Sequence, residues 1–238
     1  MVDTLSRAGN FCQRFGLRVP ILLAPMAGAS HPALSIAVAN AGGLGACGIL
    51  LMQPDAIAAW VAEFRAASAG PFQLNTWIPD PPPGRDADHE RCVRDFLAGW
   101  GPTVPAEAGD ARPPDFEAQC EVMLKLHPPI ISSVMGLYPA AFVQHMKAKG
   151  ITWFANVSTV AEARAAEAAG ADVVVVQGAE AGGHRGCFNA AEAETKLVGS
   201  FSLVPAIADA VKIPVVATGG VADGRGVAAA LKIGRAHV

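Results

Sequence analysis

The stretch Ala168–Gly186, AAGADVVVVQGAEAGGHRG, contains the features that decide the fold of this chain. Ala169-Gly170 has the composition of a helix end, because glycine commonly follows the last helical turn. Four consecutive valines, Val173 to Val176, predict a short strand buried on both faces, as in parallel sheets. A polar loop with four glycines follows, and it ends at Gly186. In parallel α/β proteins, ligands bind at this carboxyl end of the strands.

The same strand–helix unit recurs on both sides of this stretch. Strands are predicted at 20–26, 43–47, 72–78, 129–134, 151–155, 173–176 and 214–217. Predicted helices separate them, and the last helix runs from Val221 to Leu231. Seven such units with parallel-sheet composition predict an α/β fold, a (β/α)8 TIM barrel truncated after its seventh βα unit. A doubly wound open sheet is the alternative, which short and evenly recurring strands disfavour.

Residues 79–128 interrupt this rhythm. They are rich in proline and contain two predicted helices, 86–98 and 115–126. Because the segment has too few apolar residues for a core of its own, we interpret it as an elaborated third βα connection with inserted helices. Residues 1–231 are then expected to form a single barrel domain.

The last seven residues, Lys232 to Val238, have a different character. The codons AAG ATC GGA AGA GCA CAC GTC encode KIGRAHV, and these nucleotides match a common sequencing adapter. We therefore expect residues 232–238 to be a non-native tail on a truncated reading frame, and an authentic terminus is the alternative.

Composition narrows the class of protein. The chain is 52% hydrophobic and 16% charged, against about 25% charged in an average domain, so it can bury a large core. A net charge of -3 without a basic block gives no support for nucleic-acid binding. Five widely spaced cysteines without a C-x-x-C motif are typical of reduced thiols in a cytoplasmic protein. The first residues lack a secretory signal, and glycines interrupt the most apolar window, 33–52, so no membrane span is expected.

Two glycine motifs are candidates for phosphate binding. Thr218-Gly219-Gly220 follows a predicted strand and is expected to open the next helix, where free backbone N–H groups bind phosphate. Barrels often place their phosphate site in the loops after strands seven and eight, which agrees with Gly219 and Gly220. A tight turn that needs glycine for geometry alone is the alternative. Gly43-x-Gly45-x-x-Gly48 fits the dinucleotide pattern, but it lies largely within a predicted strand instead of opening a helix.

His184 is the leading candidate for acid–base chemistry. Histidine titrates near neutral pH, and this one lies on a glycine-rich loop at a strand end. A surface histidine without a catalytic role is the alternative. Glu180 is expected either to orient His184 or to be solvated. A nucleophilic pair of Cys187 with His184 is conceivable, although nothing in the sequence orients the two. The remaining histidines considered, His31, His89, His127 and His145, are interpreted as structural.

Amide side chains end two of the predicted strands. Asn75 and Gln177 should point toward the same mouth, and an amide offers both a donor and an acceptor to the edge of a planar heterocycle. Ser132 and Ser133 are weaker candidates of the same kind. No spacing of His, Cys or Asp suggests a metal site.

Four motifs together resemble the nitronate monooxygenase family, formerly called 2-nitropropane dioxygenases, which are FMN-dependent TIM-barrel flavoproteins. They are APMAG at 24–28, QLN at 73–75, QGAEAGGH at 177–184 and ATGG at 217–220. The resemblance covers nearly the whole chain up to about Leu231. Related flavin-dependent enoyl thioester reductases and NADH:quinone reductases share much of the central motif.

This resemblance implies a non-covalently bound FMN and assigns the site residues. The Pro25-Met26 backbone and Asn75 would lie against the isoalloxazine, and Gln177 would contact the flavin. The phosphate would be held by Gly182, Gly219 and Gly220. His184 corresponds to the catalytic base of the family. The Gly-Thr segment that usually completes the phosphate site after strand eight is absent from this sequence.

The activity implied by the resemblance is the oxidation of alkyl nitronates or nitroalkanes by O2 to a carbonyl compound and nitrite. The partners implied are a small-molecule substrate and O2, with no nucleic acid and no membrane. An enoyl thioester reductase or NADH:quinone reductase is the alternative. A second alternative is a non-flavin, phosphate-binding lyase or isomerase, which usually needs lysine or carboxylate side chains at several strand ends.

Overall fold

The computed structural model describes residues 4–81, 84–233 and 236–237. Within these ranges the strands form one parallel sheet of seven, and each strand lies beside its neighbour in sequence. The strands are β1 (Gly45–Gly48), β2 (Phe72–Trp77), β3 (Ile130–Val134), β4 (Thr152–Val157), β5 (Val173–Gln177), β6 (Val215–Thr218) and β7 (Ala236–His237).

Helices connect the strands, as parallel pairing requires. They are α1 (Thr4–Phe15), α2 (Pro32–Asn40), α3 (Pro54–Ala67), α4 (Ala87–Ala98), α5 (Phe116–Leu126), α6 (Ala140–Ala148), α7 (Val160–Ala168), α8 (Ser200–Ala210) and α9 (Gly224–Lys232). Short 3-10 turns lie at Ala106–Asp110 and Ala190–Glu192.

The two faces of the sheet pack against different partners, since successive side chains of a strand point to opposite faces. In β5, Val174 and Val176 belong to the large hydrophobic cluster shared with α7 and α8. Val173 and Val175 instead belong to a smaller cluster that includes Phe11 of α1. We call the face of Val173 and Val175 the inner face. The helix α1 covers this face at the amino ends of the strands.

This arrangement confirms the predicted barrel class. A doubly wound sheet would reverse its strand order and carry helices on both faces, whereas here the order is sequential. The first predicted strand, 20–26, is reduced to a single parallel bridge between Leu22 and Leu44. The amide of Leu23 donates to the Leu44 carbonyl oxygen (2.9 Å), and the amide of Leu44 donates to that of Ile21 (3.0 Å). Prolines at 20 and 25 bound this segment and remove ladder donors.

The segment 79–128 contains α4, the turn Ala106–Asp110 and α5. Cys120 and Met123 of α5 are buried in the large cluster, whereas α4 has no buried residue. Arg85 links α4 to the Ala106–Asp110 turn, because it forms ion pairs with Glu90 of the helix (2.6 Å) and with Asp110 of the turn (2.5 Å). The division into a barrel of 1–231 and a non-native tail stays a prediction. Residues 234, 235 and 238 of that tail lie outside the described residues, and β7 pairs its Ala236 with Val215.

Candidate functional site

Uncharged polar side chains gather on the inner face where the strands end, and we call this region the mouth. Alternation along the strands places five of them there: Asn75, Ser132, Asn156, Gln177 and Thr218. Asn75 lies opposite Ser132 in the register of β2 and β3, and Gln177 lies opposite Thr218 in that of β5 and β6. The five residues carry donors and acceptors but no group that titrates near neutral pH.

Asn75 occupies the position predicted for it. Its Nδ2 donates to the Ser132 hydroxyl (3.0 Å), and both side chains are buried. Ser133, the other serine considered, lies on the opposite face, where its hydroxyl accepts a hydrogen bond from Trp153 Nε1 (3.0 Å). The prediction for Ser133 was therefore wrong, because adjacent residues of a strand cannot share a face.

The Pro25-Met26 segment lies against the end of β1. A Cβ on Gly48 would approach the Ala27 backbone nitrogen to 2.8 Å, so glycine is needed for this close approach. The Ser30 hydroxyl accepts a hydrogen bond from the Met26 amide (2.7 Å) and holds the turn. Met26 is 39% exposed. The backbone predicted to face a ring system thus lies beside β1, at the carboxyl end where Asn75 of β2 also lies.

Gln177 holds the loop that carries His184. Its Nε2 donates to the His184 carbonyl oxygen (2.9 Å), and its Oε1 accepts from the Gly186 amide (2.6 Å). The side chain points to the inner face as predicted, but both ends of its amide are engaged by the loop. Flavin contact by Gln177 remains a prediction.

Two further side chains fix the same loop. Glu162 of α7 is buried, and its two oxygens accept from the amides of Ser158 (2.7 Å) and Phe188 (3.0 Å). Arg185 donates to the carbonyl oxygens of Gly178 (2.8 Å) and Ala181 (3.2 Å). The backbone is thus held on both sides of His184.

His184 itself is exposed beside the mouth. Its imidazole meets the Trp77 indole edge to face, with 4.5 Å between ring centroids and 63° between planes. Because the mouth side chains are uncharged amides and hydroxyls, proton transfer there depends on a group from a neighbouring loop. His184 is such a group.

Glu180 does not orient His184. Its carboxylate accepts hydrogen bonds from the Ser200 amide (2.9 Å) and hydroxyl (2.8 Å) at the start of α8. The Ser200 amide contributes most to holding the pKa of Glu180 below its usual value. Glu180 therefore caps α8, a role that sequence reasoning left open.

The Cys187 thiol is unsuited to nucleophilic chemistry. It is 1% exposed, and its Sγ contacts the Asn189 carbonyl oxygen at 3.2 Å. Burial raises its pKa, so the neutral thiol is favoured over the thiolate that attacks.

The glycine loop after β6 lies against the loop that carries His184. Gly219 has φ 112°, and a Cβ there would come within 2.8 Å of the Ala181 amide nitrogen, which places Gly219 near Gly182. The prediction that this loop opens a helix directly was wrong, because α9 starts only at Gly224. Asp223 caps that helix by accepting from the Arg225 (2.9 Å) and Gly226 (3.1 Å) amides. A phosphate would therefore depend on the amides of the glycine loops and not on this helix start.

Sequence reasoning missed Asn156 and Trp77. Asn156 Oδ1 is buried and has no hydrogen-bond partner among the described residues. The prediction ended this strand at Ala155, yet β4 continues through Asn156 to Val157, although asparagine is a poor strand former. The alternation that places Phe154 on the inner face would have found Asn156 as well.

The described residues contain neither a cluster of metal ligands nor a membrane-spanning helix. Within them, no group of three or more His, Cys, Asp or Glu side chains is arranged to hold a metal ion. No helix in these ranges combines the length and the apolar composition needed to cross a membrane.

Comparison with known proteins points to one family. A sequence model of the nitronate monooxygenase family matches residues 11–238. The chain is 40% identical over 229 residues to a nitronate monooxygenase of Paraburkholderia phytofirmans, covering 92% of this chain and 61% of the relative. It is 35% identical to a probable nitronate monooxygenase of Bacillus subtilis, covering 94% and 65%. The chain therefore spans less than two thirds of the length of these relatives.

A solved structure shows the same fold. A nitroalkane oxidase from Streptomyces ansochromogenes superposes with a TM-score of 0.82 at 32% identity, covering 99% of this chain and 67% of that one. Sequence, fold and comparison agree, and the chain belongs to the nitronate monooxygenase family.

Proposed function

We propose that this protein is a flavin-dependent oxidoreductase that converts alkyl nitronates and nitroalkanes, with O2, to a carbonyl compound and nitrite. The observation that carries this proposal is the position of His184, a titratable imidazole held beside a mouth of uncharged polar side chains. Membership of the family and likeness to a nitroalkane oxidase support the reaction class.

The residues present fit FMN. The buried, unpartnered Asn156 Oδ1 suits a ring N–H donor, and Asn75 and Ser132 offer further polar contacts at the same mouth. The Pro25-Met26 backbone would lie beside the ring. Adjacent glycine loops at 182 and 219–220 leave their backbone unshielded, which suits a phosphate. When bound, the flavin supplies the electron-accepting chemistry.

The protein's own part is proton transfer and orientation. A nitro group acidifies the neighbouring C–H, and the neutral His184 imidazole would remove that proton to leave the nitronate. Gln177, Glu162 and Arg185 keep the loop in place, so the imidazole approaches from a defined direction. A substrate that arrives already as nitronate needs no base.

The first test is the visible spectrum of the full-length protein and its release of nitrite. We expect bound flavin and nitrite from the nitronate of nitroethane. A colourless protein that binds a sugar phosphate would instead favour the lyase or isomerase alternative.

Replacement of the base tests its role directly. His184→Asn should lower kcat for neutral nitroethane by about 10²–10⁴-fold, since a positioned general base contributes that much. Turnover of the pre-formed nitronate should fall far less. His145→Asn, on the exposed side of α6, is the matched control and should leave both unchanged. An equal loss on both substrates in His184→Asn would remove the base assignment.

A further inference from the structure

A cavity of about 240 Å³ lies between the ends of β2 and β3 and the inserted segment at 113–116. All its lining residues are apolar except Asp80 and Gln119. The Gln119 amide is occupied, because its Nε2 donates to the carbonyl oxygens of Ile49 and Met52, both at 2.9 Å. Asp80 therefore remains as the polar group that a ligand in this cavity would meet.

The backbone on one side of the cavity is held in an unfavourable conformation. Met135 lines the cavity with φ 65°, a region that residues other than glycine rarely adopt. Next to it, Gly136 packs so closely on Ile78 that a Cβ would approach that side chain to 2.9 Å. Such conformations persist where the surrounding structure enforces them, and they cluster at ligand sites.

Trp77 connects this cavity with the mouth. Its indole lines the cavity and also contacts the His184 imidazole, at 4.5 Å between ring centroids. Trp77 therefore borders both the cavity and the candidate base.

We propose that this cavity binds the unbranched apolar chain of the substrate, so that the enzyme prefers alkyl nitronates with longer, uncharged chains. The inference rests on the proposed function for its reaction, but the binding site is defined by the cavity alone. Asp80 is exposed at the rim, where its charge disfavours a chain that ends in a carboxylate.

Chain length is the first measurement. With nitronates of nitroethane, nitrobutane and nitrohexane, kcat/KM should rise by about fourfold for each buried methylene until the cavity is filled, the equivalent of about 0.8 kcal/mol each. If the protein oxidises the nitronate of nitroethane but its kcat/KM does not change with chain length, the cavity assignment is wrong.

Tryptophan substitutions at two adjacent residues, one lining the cavity and one outside it, test the assignment further. Leu50→Trp places a large ring in the cavity, whereas Leu51, which is 70% exposed, does not line it. Leu50→Trp should remove the gain with chain length. Leu51→Trp should retain the gain. The same behaviour in both variants would contradict the proposal.

Charge selection is tested at Asp80. The nitronate of nitrobutanoate should react more slowly than that of nitropentane, and Asp80→Asn should raise kcat/KM for the substrate with the chain-end carboxylate by about two- to fivefold. If the ratio of kcat/KM for the two substrates is the same in wild type and Asp80→Asn, the substrate chain does not pass Asp80.

A readout without turnover separates this inference from the proposed function. Hexanol should bind the protein in calorimetry, and Leu50→Trp should weaken that binding by about tenfold or more. If binding follows this pattern but no nitronate is oxidised, the proposed function fails and the cavity assignment stands. If nitronates are oxidised and hexanol binds equally to both proteins, the cavity assignment fails alone.

Discussion

At the scale of single residues, the site depends on the side chains that hold His184 as well as on the histidine itself. The loop from Gly178 to Phe188 is joined to the sheet by Gln177 and to α7 by Glu162. One oxygen of Glu162 accepts the Ser158 N–H and the other accepts the Phe188 N–H, so each oxygen holds a different part of the backbone. A residue far from any substrate can therefore set the position of the imidazole.

Replacing the Glu162 carboxylate should impair proton removal from the neutral nitroalkane more than turnover of the nitronate. In Glu162→Gln one oxygen becomes an NH2 group that faces a backbone N–H, so one buried donor loses its acceptor. We expect kcat for neutral nitroethane to fall by about tenfold, the equivalent of 1.4 kcal/mol, with KM and nitronate turnover changed much less.

The control lies on the same helix. Glu167 accepts two backbone amides, Lys212 (2.7 Å) and Ile213 (3.2 Å), through one oxygen, so the carbonyl of Glu167→Gln can keep both. Kinetics with neutral nitroethane and with its nitronate, together with a thermal melt, distinguish a positioning role of Glu162 from a purely structural one. A uniform loss of activity that follows the loss of stability would show that Glu162 is only structural.

At the scale of elements, helix α8 illustrates capping from a distant loop. Its N-cap residue, Gly199, has no side chain to offer, and Glu180 from the preceding loop supplies the carboxylate. The same loop therefore positions His184 and starts the next helix.

Removing this cap should destabilise the fold in a pH-dependent way. Glu180→Ala should lower the free energy of unfolding by about 1 kcal/mol at pH 7. Because folding lowers the pKa of Glu180, its contribution is complete above the unfolded pKa of about 4.3 and is lost as pH falls through the lower folded value. Urea unfolding of wild type and variant at pH 7 and near pH 3 measures this convergence. The exposed Glu194→Ala is the control, and a difference that persists in acid would rule out the carboxylate as its source.

At the scale of the whole molecule, the mouth is assembled from β1 to β6 and the loops that follow them. A ligand bound there contacts elements that are distant in sequence, so its binding free energy adds to the stability of the folded state.

Flavin should therefore raise the melting temperature. At a hundredfold excess over Kd the gain is about 2.7 kcal/mol, which for a chain of this size is about 5–10 °C. Riboflavin, which lacks the phosphate, should stabilise less if the glycine loops at 182 and 219–220 bind that group. Equal shifts with FMN and riboflavin would exclude the phosphate assignment, and no shift with either would argue against a flavin site.

The sequence by itself determined the barrel class and the location of the candidate site. Strand and helix periodicity is local, so runs such as Val173 to Val176 identified strands, and the residues just beyond them identified the mouth. Asn75 and Gln177 were predicted as site residues in this way, and His184 was predicted from the glycines around it. The predicted ends of two elements were wrong. Strand β4 continues through Asn156, a poor strand former, and α9 starts only at Gly224, after its cap Asp223.

The tertiary structure alone decided which groups meet. Glu162 and Glu180 have the same side chain, yet one holds the loop of His184 and the other caps α8, because hydrogen-bond partners depend on how the loop folds back. The contact of Trp77 with His184 joins residues more than a hundred positions apart, and it follows from the curl of the sheet. No local pattern encodes such contacts, since they arise only when parallel strands bring their carboxyl ends to one edge.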